Sequence, residues 1–242
     1  MSYDSVETLK KFADAHGITF PMLSDEGSKT ITAWGILNRD ATGRTAGIPY
    51  PGTFVLDPKN RIVSRAFEQA YTERDTAANI LARLTPPAPA PKGTNEVAGK
   101  YLMVRTGQSD AIAAPGHRIL LTLDVIPDSK IHVYAPGQQG YIPVDLLLDP
   151  SPNIKAAPAV YPLSKAFVFG PDKEKVEVYG APFRVSQDVT LTLTPAMRQM
   201  ATTKGTLTIS GTFEYQACNE RVCFPPETLK LSWTVALTPI ER

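Results

Sequence analysis

Four prolines fall within ten residues, Thr-Pro-Pro-Ala-Pro-Ala-Pro-Lys-Gly-Thr at positions 85–94. Each proline fixes φ and removes a backbone donor, so the run favours extended polyproline geometry and supplies little with which to build a core. A single hydrophobic core cannot run through such a segment, and it reads as a semi-rigid linker. A chain of 242 residues is long enough for a domain on each side of it. The expected organisation is a first domain over residues 1–84, a linker over 85–98 and a second domain over 99–242. The two sides have different periodicities, which sets their fold classes apart.

Residues 1–84 mix helical and strand patterns. Asp4-Ser5-Val6-Glu7 has the form of a capping box, with Asp4 as N-cap and Glu7 three residues on. Val6, Leu9, Phe12 and Ala13 follow at helical spacing, and Gly17 supplies the stop. A second helix is expected over 28–34, ended by Gly35. Residues 53–57 form a short apolar strand, Pro58-Lys59-Asn60 a turn, and 61–67 the returning strand. Thr72-Glu73-Arg74-Asp75 then caps a helix whose apolar face is Ala77, Ile80, Leu81 and Leu84. The order is helix, helix, hairpin, helix, an α/β arrangement.

From Tyr101 onward the period becomes two. Residues 117–125, 130–134, 144–148, 175–179, 189–193, 206–215 and 229–235 alternate or run apolar over strand lengths, with Gly or Pro in the gaps. Thr190-Leu191-Thr192-Leu193-Thr194 and Thr206-Leu207-Thr208-Ile209-Ser210 show the alternation most clearly, leucines on one face and hydroxyls on the other. Seven such strands in this length predict an antiparallel sandwich of immunoglobulin-like type, with a barrel as the competing closure.

The chain has only two cysteines, Cys218 and Cys223, and both close the strand over 206–217. If the chain turns back through Asn219–Val222, the two face each other across a hairpin. Opposed residues of an antiparallel pair lie about 4.5–5.5 Å apart at Cα, within disulfide reach. Closing so small a loop stabilises by roughly 2 kcal/mol, and a bond serving stability alone would do better joining distant strands. Arg221 would lower a neighbouring thiol pKa and Glu220 would oppose it.

Bulk properties exclude several classes. Lys plus Arg number 25 against 24 Asp plus Glu, and no basic stripe marks a nucleic-acid surface. The longest apolar runs, such as residues 119–123, are far too short to span a bilayer. The first residues run straight into an amphipathic helix, without the basic and apolar regions of a secretory signal. His16, His117 and His132 show no metal-ligand spacing and read as surface or strand packing. Trp34 and Trp233 read as core or interface packing, Asp25 and Glu26 as solvated loop charges, and Gly170-Pro171-Asp172 as a turn rather than a phosphate loop. Tyr141 and Tyr161 suit either a binding face or packing. No metal or cofactor is implied.

Two resemblances sharpen these readings. Tyr3-Asp4-Ser5, Phe20-Pro21-Met22-Leu23-Ser24-Asp25 and Pro49-Tyr50-Pro51-Gly52-Thr53-Phe54-Val55-Leu56-Asp57 resemble the later part of a peroxiredoxin of the AhpC/TSA type, over roughly residues 2–84. The resemblance implies a partial thioredoxin-like domain, with Pro51 at the position that is usually a cis proline in that superfamily. Peroxiredoxins carry their peroxide-reacting cysteine ahead of the part matched here, and residues 1–217 hold no cysteine. A peroxidase requires a thiolate, so no peroxidase activity is expected from this chain. Either the chain is the downstream part of a longer protein or the domain is degenerate. The former is the expectation, because an uncovered central strand edge invites aggregation.

Tyr215-Gln216-Ala217-Cys218 and Cys223-Phe224-Pro225-Pro226-Glu227-Thr228 resemble the N-terminal domain of the thiol:disulfide interchange protein DsbD, the disulfide-bond corrector family, loosely over residues 99–237. The resemblance implies that Cys218 and Cys223 cycle between dithiol and disulfide, with Cys223 attacking partners. It implies thioredoxin-like or membrane thiol:disulfide electron-transfer proteins as partners, and a periplasmic or otherwise extracytoplasmic location. It also implies a cap over the disulfide. The matching segment is Glu177-Val178-Tyr179-Gly180, so Glu177 and Tyr179 become candidate cap residues. Val178 stands where the family has its shielding phenylalanine, for which Tyr179 or Phe183 would have to substitute. The alternative function is a binding sandwich in which the disulfide is a static staple; a further alternative is a fragment of a longer peroxiredoxin-type antioxidant enzyme.

Overall fold

A computed structural model of the chain describes residues 1–67, 72–84, 95–169 and 174–240. The Pro-rich run at 85–94 and the Gly170-Pro171-Asp172 turn lie outside the described residues. Contacts divide the chain into two compact units, Met1–Arg74 and Asp75–Arg242. The first is α/β and the second is a β-sandwich.

In the first unit a helix spans Val6–His16. Its N-cap is Ser5, one residue later than the expected Asp4: the Ser5 hydroxyl accepts from the Thr8 amide at 3.2 Å. Asp4 instead accepts from the Ser2 hydroxyl, while Glu7 pairs with Lys11 at 2.8 Å. Gly17 ends the helix at φ 62°, the left-handed conformation a side chain disfavours. The short helix Lys29–Ala33 is held by Asp25, whose carboxylate accepts from the Thr30 and Ile31 amides at 3.1 and 2.7 Å. Asp25 is therefore a buried cap rather than a solvated loop charge, because the unpaired amides of a helix start seek an acceptor. The Ile31 amide chiefly holds its carboxyl below the usual range.

The hairpin joins Gly52–Leu56 to Ile62–Phe67 in antiparallel register. Its turn places Asn60 at φ 59° and gathers the Lys59 and Arg61 amides on Asp57. No peptide bond among the described residues is cis, which corrects the expectation for Pro51. It opens its strand in the trans form, a position where a missing amide costs no ladder bond. Among the described residues Leu9 and Ile31 are this unit's buried hydrophobics. Val6 and Phe12, expected on the inner helix face, are exposed, and Trp34 is half exposed with its ring edge-on to Phe54 at 5.0 Å.

The second unit begins ahead of the Pro-rich run, because helix Ala77–Leu84 packs on strand His117–Pro127. The cap of this helix is Thr76, whose hydroxyl accepts from the Asn79 amide at 3.0 Å. The face it buries carries Asn79 and Ile80, while Leu81 and Leu84, expected inside, are exposed. The Asn79 side chain donates to the Arg118 carbonyl at 3.0 Å, and Arg83 bridges Asp75 and Asp188 at 3.0 and 2.9 Å. These polar ties replace the predicted apolar seam.

Two sheets face each other. One has the order Ile154–Ala156, Phe183–Leu191, His117–Pro127, Leu102–Gln108, Glu96–Ala98. The last strand falls within residues assigned above to the linker; Glu96, Val97 and Ala98 pair with Arg105, Val104 and Met103. The opposing sheet has the order Ile112–Ala113, Glu227–Leu237, Thr206–Tyr215, Asp145–Leu148. Along Thr206–Tyr215 burial alternates residue by residue, with Leu207, Ile209, Phe213 and Tyr215 inward. Trp233 crosses the interior, its indole donating to the Thr122 carbonyl at 3.2 Å, and Val104, Leu121, Leu123, Val185, Phe213 and Val235 pack in the same core. Thr106 and Gln108 reach across to the Ser232 and Thr234 carbonyls. The strand expected over 189–193 instead spans Phe183–Leu191, and Thr194, the last residue of the alternating run 190–194, caps a helix, Pro195–Thr202. A third, smaller sheet orders Lys165–Phe169, Glu174–Tyr179, His132–Tyr134 and Ala217–Cys218. It carries the cysteines.

Candidate functional site

Strand Thr206–Tyr215 pairs with Glu227–Leu237 over its whole length, ending at Tyr215 opposite Glu227. Beyond Tyr215 the chain changes sheets. Gln216 sits at the change, accepting from the Ile142 amide and donating to the Phe224 carbonyl, each at 3.2 Å. Ala217 and Cys218 then pair with Val133 and His132 of the small sheet. The four residues Asn219–Val222 reverse direction. Asn219 organises the loop, its side chain accepting from the Arg221 and Val222 amides at 2.8 and 2.9 Å and its amide donating to the Val222 carbonyl. Such Asx turns are a usual reason for asparagine at a loop start.

The turn brings Cys218 and Cys223 opposite each other with Cα atoms 4.1 Å apart, joined by a disulfide. The two cysteines are not equally buried. Cys218 is fully buried and Cys223 is half-buried. Glu220, Arg221 and Val222 of the loop are exposed.

The disulfide belongs to a small hydrophobic cluster apart from the main core. Cys218 packs with Tyr134, Val176 and Val178, and Tyr141, Phe167 and Cys223 close the rim. The Tyr134 hydroxyl is 3.4 Å from the Cys223 sulfur. Its ring stacks on Tyr141 at 4.1 Å, and Tyr141 donates to Glu174 at 2.7 Å. Burial pushes the Tyr134 phenol above its usual range, and the bond to Glu174 does the same for Tyr141, so both stay protonated near neutrality. His132, opposite Cys218 in register, is buried against Phe167 at 4.8 Å. Burial lowers its pKa and favours the neutral ring.

The flanking motif residues are scaffold. Tyr215 donates to the Glu227 carboxylate, which also accepts from the Lys100 amide at 2.9 Å. Desolvation opposes the charge on Glu227, but these donors outweigh it and hold the carboxyl below its usual range. Phe224 stacks on Tyr101 at 4.0 Å. Together they fix the point where the hairpin leaves the sandwich.

The residues proposed as a cap are placed elsewhere. Glu177 is exposed and accepts from Ser164 at 2.6 Å. Tyr179 packs in the main core, donating to the Pro162 carbonyl at 2.8 Å and stacking on Phe183. Strand geometry explains this correction: in Glu174–Tyr179 alternate residues face opposite ways, so Val176 and Val178 meet the disulfide while Glu177 and Tyr179 cannot. The aromatics packed with the disulfide cluster are Tyr134, Tyr141 and Phe167. Tyr141 was weighed from sequence, whereas Tyr134 and Phe167 carried no signal beyond strand alternation. Tyr161 packs against the main core and donates to Asp145, its pKa raised to about 12 mainly by burial. His117 is a packing residue, its ring accepting from the Ala114 amide. Among the described residues no three His, Cys, Asp or Glu side chains gather as a metal site, and no helix is long and apolar enough to cross a membrane.

Residues 1–65 match the AhpC/TSA family model. Over 64 residues the chain is 41% identical to the Mycobacterium tuberculosis proteins named "Putative peroxiredoxin MT2597" (strain CDC 1551) and "Putative peroxiredoxin Rv2521" (strain H37Rv). The matched part is 26% of this chain and 41% of each relative's length, so the chain spans about two-fifths of the curated relatives it matches. Among solved structures it is similar to the N-terminal periplasmic domain of ScsB from Proteus mirabilis, at TM-score 0.41 and 14% identity, covering 60% of this chain and 52% of that one. It is also similar to the reduced N-terminal domain of Neisseria meningitidis DsbD, at TM-score 0.33 and 14% identity, covering 55% of this chain and 90% of that one.

Proposed function

We propose that the second unit is a thiol–disulfide exchange module working through Cys218 and Cys223, joined to a peroxiredoxin-like unit whose residues 1–74 hold no cysteine. The observation carrying this reading is the asymmetry of the disulfide. Cys218 is fully buried whereas Cys223 is only half-buried, on a loop so short that the bond contributes at the low end for disulfides. A staple has no use for that arrangement, whereas directed exchange requires it.

An incoming thiolate attacks the Cys223 sulfur because Cys218 is out of reach. The intramolecular S–S bond breaks, its electron pair leaves on Cys218 as thiolate, and a mixed disulfide forms at Cys223. A second thiolate of the partner then attacks its own sulfur in the mixed bond and releases Cys223 as thiolate. Two protons from solvent complete the dithiol, and the partner leaves as a disulfide. Run in reverse, the same steps reduce a partner. The partners that fit are dithiol proteins of thioredoxin-like type or membrane electron-transfer proteins, in an extracytoplasmic compartment where disulfides persist.

The test is a redox titration of the full chain against glutathione and dithiothreitol, with thiol trapping. Exchange predicts a midpoint less negative than about −300 mV and a trappable mixed disulfide at Cys223 in Cys218→Ser. A more negative midpoint with no mixed disulfide would identify a static staple and overturn the reading.

A further inference from the structure

We propose that Tyr134 is a catalytic hydrogen-bond donor to the Cys223 sulfur, and that Tyr141, anchored on Glu174, competes for the same phenolic proton. The inference rests on the exchange reading above and assigns the group that stabilises charge on the reacting sulfur.

A disulfide sulfur carries no proton, so in the 3.4 Å contact between Tyr134 Oη and Cys223 Sγ the phenol is the donor. The Tyr134 ring is fully buried in strand His132–Tyr134 and fixed by its stack on Tyr141. Only rotation about its C–O bond remains free, and that bond carries the proton. The hydroxyl has two acceptors. One is the Cys223 sulfur. The other, we infer, is the oxygen of Tyr141, whose ring is stacked on its own at 4.1 Å; because Tyr141 gives its own proton to Glu174, its oxygen is left to accept.

The two acceptors exchange rank when the redox state changes. A neutral disulfide sulfur is a weak acceptor and leaves the proton largely to Tyr141. A Cys223 thiolate is a charged acceptor, and charge-assisted bonds are roughly twice as strong as neutral ones. The phenol therefore turns to the sulfur as negative charge appears there, without backbone movement. Cys223 carries that charge twice: as the thiolate that attacks a partner disulfide, before the mixed S–S bond forms and the charge passes to the partner's departing sulfur, and again when Cys223 leaves from the mixed disulfide. Because burial keeps Tyr134 protonated, it donates in both steps and neither gains nor loses the proton.

The experiment uses the full chain with Cys218→Ser, leaving one thiol, and reads the Cys223 pKa from the pH profile of iodoacetamide alkylation. Tyr134→Phe keeps the ring and deletes the donor, so the pKa should rise by about one unit, a tenfold loss of thiolate below the pKa. The remaining thiolate is more nucleophilic, so exchange with glutathione disulfide near neutral pH should fall only about threefold. Tyr141→Phe deletes the competitor, so the pKa should fall. Val178→Ala, which loosens the same pocket without touching a hydroxyl, should leave it unchanged. Opposite signs for the two tyrosines support the inference, since loosened packing would move both one way. An unchanged profile in Tyr134→Phe, or equal shifts in all three variants, overturns it. Should Cys218→Ser fail to fold, the same variants in the reduced two-cysteine protein give the profile. If the unmutated protein does not exchange with glutathione at all, the exchange reading itself fails; if it exchanges and Tyr134→Phe matches it, only the present inference does.

Discussion

Reducing the Cys218–Cys223 bond should weaken the sandwich without unfolding it, and the size of the loss follows from the loop. The cysteines are five residues apart in sequence, so the chain-entropy relation places the bond's contribution at roughly 2 kcal/mol. The core does not depend on the bond: Phe213, Trp233, Leu121 and Val185 are buried between the two large sheets, while the cysteines lie in the separate small cluster. With a urea dependence of about 2 kcal/mol per molar, reduction should lower the midpoint by about 1 M. Trp233, almost fully buried in the sandwich, is the reporter, and Trp34→Phe removes the tryptophan of the first unit. Urea titrations of this variant with and without dithiothreitol, followed by fluorescence, read the shift. The thermodynamic cycle requires folding to stabilise the disulfide over the dithiol by the same amount, about 40 mV. Loss of the cooperative transition on reduction would refute the reasoning, for it would mean the bond holds the fold together and no folded dithiol exists to carry electrons. No shift at all would refute the loop arithmetic.

Glu227 is held below its usual carboxyl range in the folded protein, so the stability it contributes is present above its unfolded pKa and is lost as pH falls through the folded value. Glu227→Gln should therefore lose less stability between neutral pH and about pH 3 than the unmodified chain, as read from urea midpoints at both ends. Phe213, fully buried between the sheets, should cost about 3–5 kcal/mol on change to Ala, measured by the same Trp233 transition with the disulfide intact. Asn79 is fully buried and ties its helix to the Arg118 carbonyl. Asn79→Ala leaves that carbonyl without this donor and should cost about 1–3 kcal/mol, appearing as faster hydrogen exchange in helix Ala77–Leu84.

The second unit was largely readable because period two is a local property. Leu207 and Ile209 alternate with Thr206 and Thr208 in sequence as they do in burial. Reading failed where one residue type serves two structures. Threonine favours strands but also caps helices: Thr194 completes the alternation of 190–194, yet with Pro195 after it as the first helical residue it is an N-cap. Glu96–Ala98 was hidden because three residues beside a Pro-rich run carry too little pattern to count, and only pairing with Met103–Arg105 makes them a strand. On helix Ala77–Leu84 the periodicity picked Leu81 and Leu84, yet Asn79 lies innermost, because a buried amide is acceptable once a carbonyl waits for it.

The cysteine pair divides along the same line. Sequence alone determined that Cys218 and Cys223 could bond, since spacing, turn and strand end are local and set the reach of the chain. Tertiary structure decided which cysteine is the more buried, that Tyr134, Tyr141 and Phe167 pack with the bond's cluster, and that Tyr179 packs in the main core instead. Those outcomes depend on which face of Glu174–Tyr179 meets which neighbour. A strand's alternation says that two faces exist; only the sheets packed around it determine what each face touches.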